Sequence, residues 1–284
     1  MQEMRIESVD GVAHTAAVYA AARPDAPVVV CLPAMGAPAG YYGPFAEEIS
    51  RCDHATVVLL DLRGQGRSTV RARCGDQFGY REILEFDLPE AISGLRRAFP
   101  GRKLYLAGHS LGGQLGLFAA ARPDVQVDGL ILIAAGTAHW RAWQGVERLV
   151  ARIAFFGVRL AARLLPWYPG TRLGFGGDQP RRLMRDWGLV TREDRYAPEG
   201  SGFDYEHAVR ALSLPVLSIG VREDPIAPTG AIEALLRRLA ASAVTRLEVD
   251  GVHGHSRWKR HFSWARRPGA VVNALAGWLA AHLR

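Results

Sequence analysis

Gly108-His109-Ser110-Leu111-Gly112 places a serine between two glycines, the pattern G-x-S-x-G. The pentapeptide joins a short apolar run, Lys103 to Ala107, to a Leu- and Ala-rich run, Leu111 to Ala121. A strand that turns sharply into a helix lifts the serine hydroxyl out of the sheet, and glycines two positions either side let the backbone pass closely. The chemistry open to such a serine is nucleophilic attack. A hydroxyl is a weak nucleophile at neutral pH and needs a general base, usually histidine, steadied by a carboxylate. With a strand–turn–helix serine of this kind, the acid and then the histidine should follow in chain order. Without those partners the same stretch is only a glycine-rich loop packing a helix onto a sheet.

The acid that fits is Asp224, in Gly220-Val221-Arg222-Glu223-Asp224-Pro225-Ile226-Ala227-Pro228, directly after an apolar run. Active sites of open parallel sheets assemble at the carboxyl ends of strands. Pro225 and Pro228 would fix the loop, and Glu223 is the neighbour that competes for the role. A solvated turn carboxylate is the plainer reading, since acids are common in turns. The tail offers three histidines, His253, His255 and His261. His261 is preferred because Phe262 and Trp264 could pack its loop against a terminal helix opened by Pro268. His255, preceded by Gly254, is the second choice, and a surface histidine is the alternative for each. The three histidines have no carboxylate at ligand spacing, so no metal is expected.

These residues need a scaffold, and the hydrophobic pattern supplies one. Apolar runs at 27–32, 55–61, 103–107, 129–134 and 214–220, with a weaker one at 244–249, alternate with helical patterns at 41–51, 83–98, 111–121, 229–241 and 268–283. Near-continuous apolar strands separated by helices signal a mostly parallel sheet covered on both faces. A leading pair of strands, 4–9 and 13–20, surrounds the turn signal Asp10-Gly11. The 284 residues, 49% hydrophobic and 22% charged, suit one large domain with an inserted subdomain. The net charge is +7, and Lys103 and Lys259 are the only lysines. The arginines are scattered and lack aromatic or glycine partners at recurring spacing, so no nucleic acid partner is expected. Cys31, Cys52 and Cys74 form neither a zinc spacing nor a disulfide framework and suit a reducing cytoplasm. No apolar run reads as a signal peptide or a membrane span, so stable membrane insertion is not expected.

The alternation breaks over 137–210, where Trp140, Trp143, Phe155, Phe156, Trp167, Tyr168 and Trp187 are interleaved with arginines. Within it, Val146, Leu149, Val150, Ile153, Leu160 and Leu164 share one helical face, and Arg148, Arg152, Arg159 and Arg163 share the other. The plain expectation is a helix that packs its apolar side over the sheet as a cap. The sharper one is a lid that meets lipid or a long acyl chain. Gly170 to Gly177 matches neither phosphate-binding pattern and reads as a structural loop.

Taken together, the chain resembles the α/β-hydrolase superfamily, and within it a poorly characterised group of serine hydrolases. The stretches that carry this are Leu32 to Gly36, Tyr41 to Ala46, Asp61-Leu62-Arg63-Gly64-Gln65-Gly66-Arg67-Ser68, Gly108 to Gln114, Pro169 to Phe175, Asp224 to Pro228 and His261 to Arg266. There are two departures: Arg260 stands where a glycine usually precedes the histidine, and Pro33-Ala34 stands where many members carry His-Gly. The resemblance implies an α/β-hydrolase fold with a helical cap after the sixth strand, the core being 1–136 and 211–284 and the cap 137–210. It implies Ser110 as nucleophile, His261 as base and Asp224 as orienting acid, with no cofactor. The oxyanion hole would use backbone N–H groups of Leu111 and Met35, with Ala34 and Gly36 as neighbouring candidates; side-chain identity matters little for a backbone donor. The expected activity is cleavage of a small-molecule carboxylic ester or thioester with an apolar acyl group, under a pocket lined by Trp140, Trp143 and Trp187. Acyl transfer or cyclisation with the same three residues, and non-catalytic ligand binding, are the alternatives. Oligomeric state is not legible.

Overall fold

The structure is a computed structural model that describes residues 1–251 and 259–282. Eight strands form one sheet: β1 (Gln2–Glu7), β2 (Ala13–Tyr19), β3 (Val28–Leu32), β4 (Thr56–Leu60), β5 (Leu104–His109), β6 (Gly129–Ile133), β9 (Pro215–Val221) and β10 (Ala243–Val249). A separate two-residue ribbon pairs β7 (Tyr168–Pro169) with β8 (Asp178–Gln179). The order across the sheet is β1-β2-β4-β3-β5-β6-β9-β10. Only β1–β2 and β2–β4 are antiparallel; the pairings from β4 through β3, β5, β6 and β9 to β10 are parallel.

Why these segments become strands is visible in their burial. Every residue of β3, β4, β5 and β6 is buried, as expected of Val-, Ile- and Leu-rich strands with both faces covered. The edge strand β10 instead exposes Thr245, Arg246 and Glu248, and such charges discourage edge-to-edge pairing. Its sequence signal was weak for that reason.

The helices are α1 (Gly43–Arg51), α2 (Tyr80–Glu82), α3 (Leu88–Ala98), α4 (Leu111–Ala120), α5 (Gly145–Leu164), α6 (Gly170–Leu173), α7 (Arg181–Glu193), α8 (Tyr205–Ala211), α9 (Thr229–Leu236), α10 (Arg260–Ser263) and α11 (Gly269–His282). The helix expected at 83–98 starts earlier and contains a π turn over Ile83–Asp87, in which the Leu88 N–H donates to the Ile83 carbonyl. Pro89, which has no N–H to give to an α-helical ladder, follows directly. The helix expected to run to 241 ends at Leu236, after which the chain closes in tight turns and Arg238 turns to Asp194 and Glu206. All ten residues of α4 are buried, so the helix that follows the serine is fixed on every side.

The chain between β6 and β9 leaves the sheet and carries α5 to α8. Its return leg lies on α4, with the Tyr196 ring stacked 3.9 Å from Phe118. The orientation of α5 corrects the plain expectation for its apolar face. Val146, Leu149, Val150, Ile153, Leu160 and Leu164 are exposed, and the buried residues are Ala151 and Ala162. The small side turns inward because a cavity lies beneath it, and Phe155, Val158 and Ala161 line its wall.

Among the described residues no helix is long and apolar enough to cross a membrane, and no cluster of three or more His, Cys, Asp or Glu could hold a metal ion.

Candidate active site

The chain leaves the sheet's centre at β3, whose neighbours β4 and β5 lie on opposite sides. Crevices at such switch points, outside the carboxyl ends of the strands, are where ligands bind in open α/β sheets. Ser110 follows β5 there, at φ 52° and ψ −118°, a conformation that side chains other than glycine rarely adopt. The strain is held by its N–H donating to the Ile133 carbonyl at 3.0 Å and its own carbonyl accepting from Gln114 N–H at 3.1 Å. A Cβ on Gly112 would lie 2.5 Å from the carbonyl oxygens of Leu32 and Pro33, and one on Gly108 would fall on the backbone of Gly112 and Gly113. Gly108 therefore lets the serine turn close on the start of α4, and Gly112 lets it dock on the end of β3 and the loop after it.

Asp224 sits in the turn after β9. Its Oδ1 accepts from the N–H groups of Ile226 (2.8 Å) and Ala227 (3.2 Å), and its Oδ2 lies 2.6 Å from His261 Nδ1. A carboxylate can only accept, so Nδ1–H donates and the Nε2 lone pair is the one left for chemistry. Both side chains are buried. Glu223, the competing acid, is two-thirds exposed at φ 57° and pairs with Arg260. Arg260, which stands where the resemblance expects a glycine, thus engages Glu223, while Asp224 contacts His261.

His261 lies in α10, held by neighbours on several sides. Its ring centroid is 4.5 Å from that of His109 and 5.0 Å from that of Phe262. Tyr41 Oη donates to the Phe262 carbonyl at 3.1 Å, and buried Trp264 packs against Tyr42, Phe45 and His109. His255, the second choice for the base, lies outside the described residues, as does His253.

Ser110, Leu111, Met35 and His261 line one cavity of about 1300 Å³. The Ala34 N–H donates to Tyr42 Oη at 3.0 Å, so it is occupied. With its amide oriented to satisfy both ends, Gln65 donates to the carbonyls of Ala34 and Ala37 and accepts from Gly36 N–H at 3.3 Å. Among the described residues nothing takes the Met35 N–H. Leu111 opens α4, where backbone N–H groups and the helix dipole both favour negative charge.

Trp143 and Trp187 also line the cavity, joined by edge-on contacts through Phe155 and continued to Phe175. Trp140 does not line it. Its ring instead lies under the guanidinium groups of Arg141 and Arg152. The stretch Gly170 to Gly177 is more than a structural loop, because Gly174, Phe175 and Gly176 form part of the cavity wall.

Sequence reasoning passed over three supporting side chains. His109 is fully buried, with Nδ1 2.7 Å from Tyr42 Oη, and burial, then the neighbouring His261, holds its pKa well below the usual histidine value. It is a neutral packing partner for His261. Asp61 accepts from Ala39 N–H (2.8 Å) and Arg67 N–H (2.9 Å), tying the Asp61–Ser68 stretch to the loop after β3. Gln114 donates to the Gly136 carbonyl and accepts from Tyr196 Oη, anchoring the segment that leaves β6. Each lay inside a stretch that carried the family resemblance, which was the only signal for it.

The family model described as the alpha/beta hydrolase fold matches residues 27–255. RutD of Agrobacterium fabrum, to which carbamate hydrolase activity is ascribed, is 30% identical over 223 residues, covering 72% of this chain and 77% of that protein. Among solved structures, DcsB in complex with its substrate analogue aligns over 99% of both chains with a TM-score of 0.67 at 15% identity. A thermophilic esterase from Thermogutta terrifontis aligns over 99% of both chains with a TM-score of 0.59 at 20% identity.

Proposed function

Since the chain belongs to the α/β-hydrolase family, we propose that it is a serine hydrolase that cleaves a carboxylic ester or thioester carrying a large apolar acyl group. The observation that carries this reading is the buried His261 Nδ1–Asp224 Oδ2 contact of 2.6 Å, set beside the cavity that Ser110 enters from a strained turn. In the reaction, His261 Nε2 takes the Ser110 proton as Oγ attacks the carbonyl carbon. The resulting oxyanion accepts from the N–H groups of Leu111 and Met35, and such donors contribute on the order of 3 kcal/mol each. His261 then passes its proton to the leaving alcohol or thiol as the C–O or C–S bond breaks. Asp224 keeps the imidazole in the productive tautomer and stabilises the imidazolium. Water activated by the same histidine releases the acid and restores the serine.

The segment 137–210 acts in this reading as a cap over the core formed by 1–136 and 211–284. Its apolar wall of Trp143, Phe155, Trp187 and Phe175 selects for the acyl group. The cavity exceeds the range of about 300–1,000 Å³ usual for small-ligand sites, which favours a long or bulky acyl chain over a small carbamate such as RutD's ascribed activity would suggest. A panel of p-nitrophenyl esters and acyl thioesters from two to sixteen carbons tests this, with and without added alcohols and amines. Turnover should rise with chain length and disappear in Ser110→Ala. Preference for the shortest esters, or faster cleavage of a p-nitrophenyl carbamate assayed beside the panel, would overturn the substrate class. Product formed only with an added acceptor would make the protein an acyltransferase.

A further inference from the structure

Of the twelve exposed large hydrophobic residues among those described, seven lie on α5: Val146, Leu149, Val150, Ile153, Phe156, Leu160 and Leu164. Scattered singly they would need no explanation, but gathered on one helix they form a patch that a soluble protein rarely leaves bare. At about 100° per residue the seven fall within roughly a third of the helix circumference, and twenty residues extend them over about 30 Å. One border of this ridge is a row of cations, Arg148, Arg152, Arg159 and Arg163. Arg148 donates to the Trp143 carbonyl, Arg159 donates to Thr191 Oγ1, and Arg152 covers Trp140; among the described residues none of the four pairs with a carboxylate. The other border is the cavity, whose lining begins with Val146 and Val150 and continues inward through Ala154 and Val158.

We infer that α5 docks on the surface of an anionic lipid bilayer, with its apolar ridge in the acyl region, its arginine row at the headgroups and the cavity mouth facing the lipid. Charge selects this occupant. The only acidic residue on α5 is Glu147, on the inward side. A second copy meeting the same face would therefore bring arginines to arginines with no carboxylate between them, whereas lipid phosphates complement the row. The seven ridge residues contain no hydrogen-bonding side chain, as suits hydrocarbon. The helix lies on the membrane and does not span it. The inference stands apart from the hydrolytic reading, because it uses neither Ser110 nor His261.

Sedimentation with sucrose-loaded vesicles tests it, using phosphatidylcholine alone and phosphatidylcholine with about one third phosphatidylglycerol. The full chain should partition at least tenfold more strongly onto the anionic vesicles, and high salt should remove most of that difference. Ile153→Glu with Leu160→Glu, neither of which lines the cavity, should lose tenfold or more while unfolding at an unchanged temperature. Arg148→Gln with Arg152→Gln should weaken binding by roughly 25-fold, about fivefold for each arginine. Ser110→Ala should bind like the parent, which separates this test from that of the catalytic reading. The inference is overturned if the parent stays in the supernatant with both lipids, or if the Glu variant binds as well as the parent. A dimer in ultracentrifugation that the Glu variant dissociates, without vesicle binding by the parent, overturns it in favour of a second copy.

Discussion

Asp224→Asn isolates the proposed orienting acid at almost no steric cost. In the native turn, Oδ1 takes two backbone N–H groups, from Ile226 and Ala227, and Oδ2 takes His261 Nδ1–H at 2.6 Å. An asparagine has one accepting oxygen, and the two N–H donors will claim it. Its NH₂ must then face His261, and an NH₂ group can only donate. The imidazole answers by placing its proton on Nε2 and accepting at Nδ1, the tautomer that cannot take a proton from Ser110. A wrong-tautomer histidine behind a serine costs about 10⁴-fold in kcat, about 5 kcal/mol of transition-state stabilisation. The fold should hardly notice, because shape and two of the three hydrogen bonds persist. The assay is turnover of a p-nitrophenyl ester by parent and variant at pH 7 and at pH 9, together with thermal unfolding of both. A fall of less than tenfold in kcat in a folded variant would refute the assignment of Asp224 and reopen the role of Glu223.

Three other changes probe the scaffold. Gly112→Ala pushes a methyl group onto the Leu32 and Pro33 carbonyls; it should lower kcat at least 100-fold by displacing the loop proposed to bind the oxyanion and destabilise the fold by about 1–3 kcal/mol, read from turnover and urea unfolding. Arg63 is buried and pairs with both Asp10 and Asp87, while His14 and Ser8 also reach Asp87. Arg63→Met would remove the cation the two carboxylates share, leaving buried Asp87 with only Ser8 and His14, and should cost about 3–5 kcal/mol in urea unfolding. Burial raises the pKa of Asp186 to about 6, even though Tyr80 and Glu199 donate their N–H groups to it. A pKa raised in the folded state means that the proton is held more tightly there, so this contribution is complete below about pH 4 and is lost as pH rises through 6. The stability difference between the parent and Asp186→Asn should therefore shift against the parent by up to about 3 kcal/mol from pH 4 to pH 7, and a flat difference would refute it.

The parallel sheet was readable because its buried strands are uninterrupted apolar runs, and Ser110 and Asp224 stood out as candidates because each follows such a run with a local turn signal. His261 could be preferred from its neighbours, since Phe262 and Trp264 announce a packed segment. Residues whose role depends on a distant strand crossing left no comparable trace. Tyr42 meets His109 across 67 positions of sequence, and that contact exists only because β3 and β5 are neighbours. The amphipathic pattern of α5 was equally plain, yet it states which side is apolar and not what that side faces. The inward wall had to be small to leave a cavity, so Ala151 and Ala162 went inside and the large residues went out. Trp140 was misplaced for a related reason: aromatic residues in a cap signal an apolar wall only when the backbone turns them inward, and Arg141 and Arg152 hold this one elsewhere.

The central claim is that Ser110 is a nucleophile activated by His261. A fluorophosphonate probe followed by intact-mass and peptide mass spectrometry tests it most directly. The account predicts one adduct per chain, on the peptide that contains Ser110, absent in Ser110→Ala and at least 100-fold slower to form in His261→Ala. A folded parent protein that takes up no probe, or one labelled equally fast without His261, would contradict it.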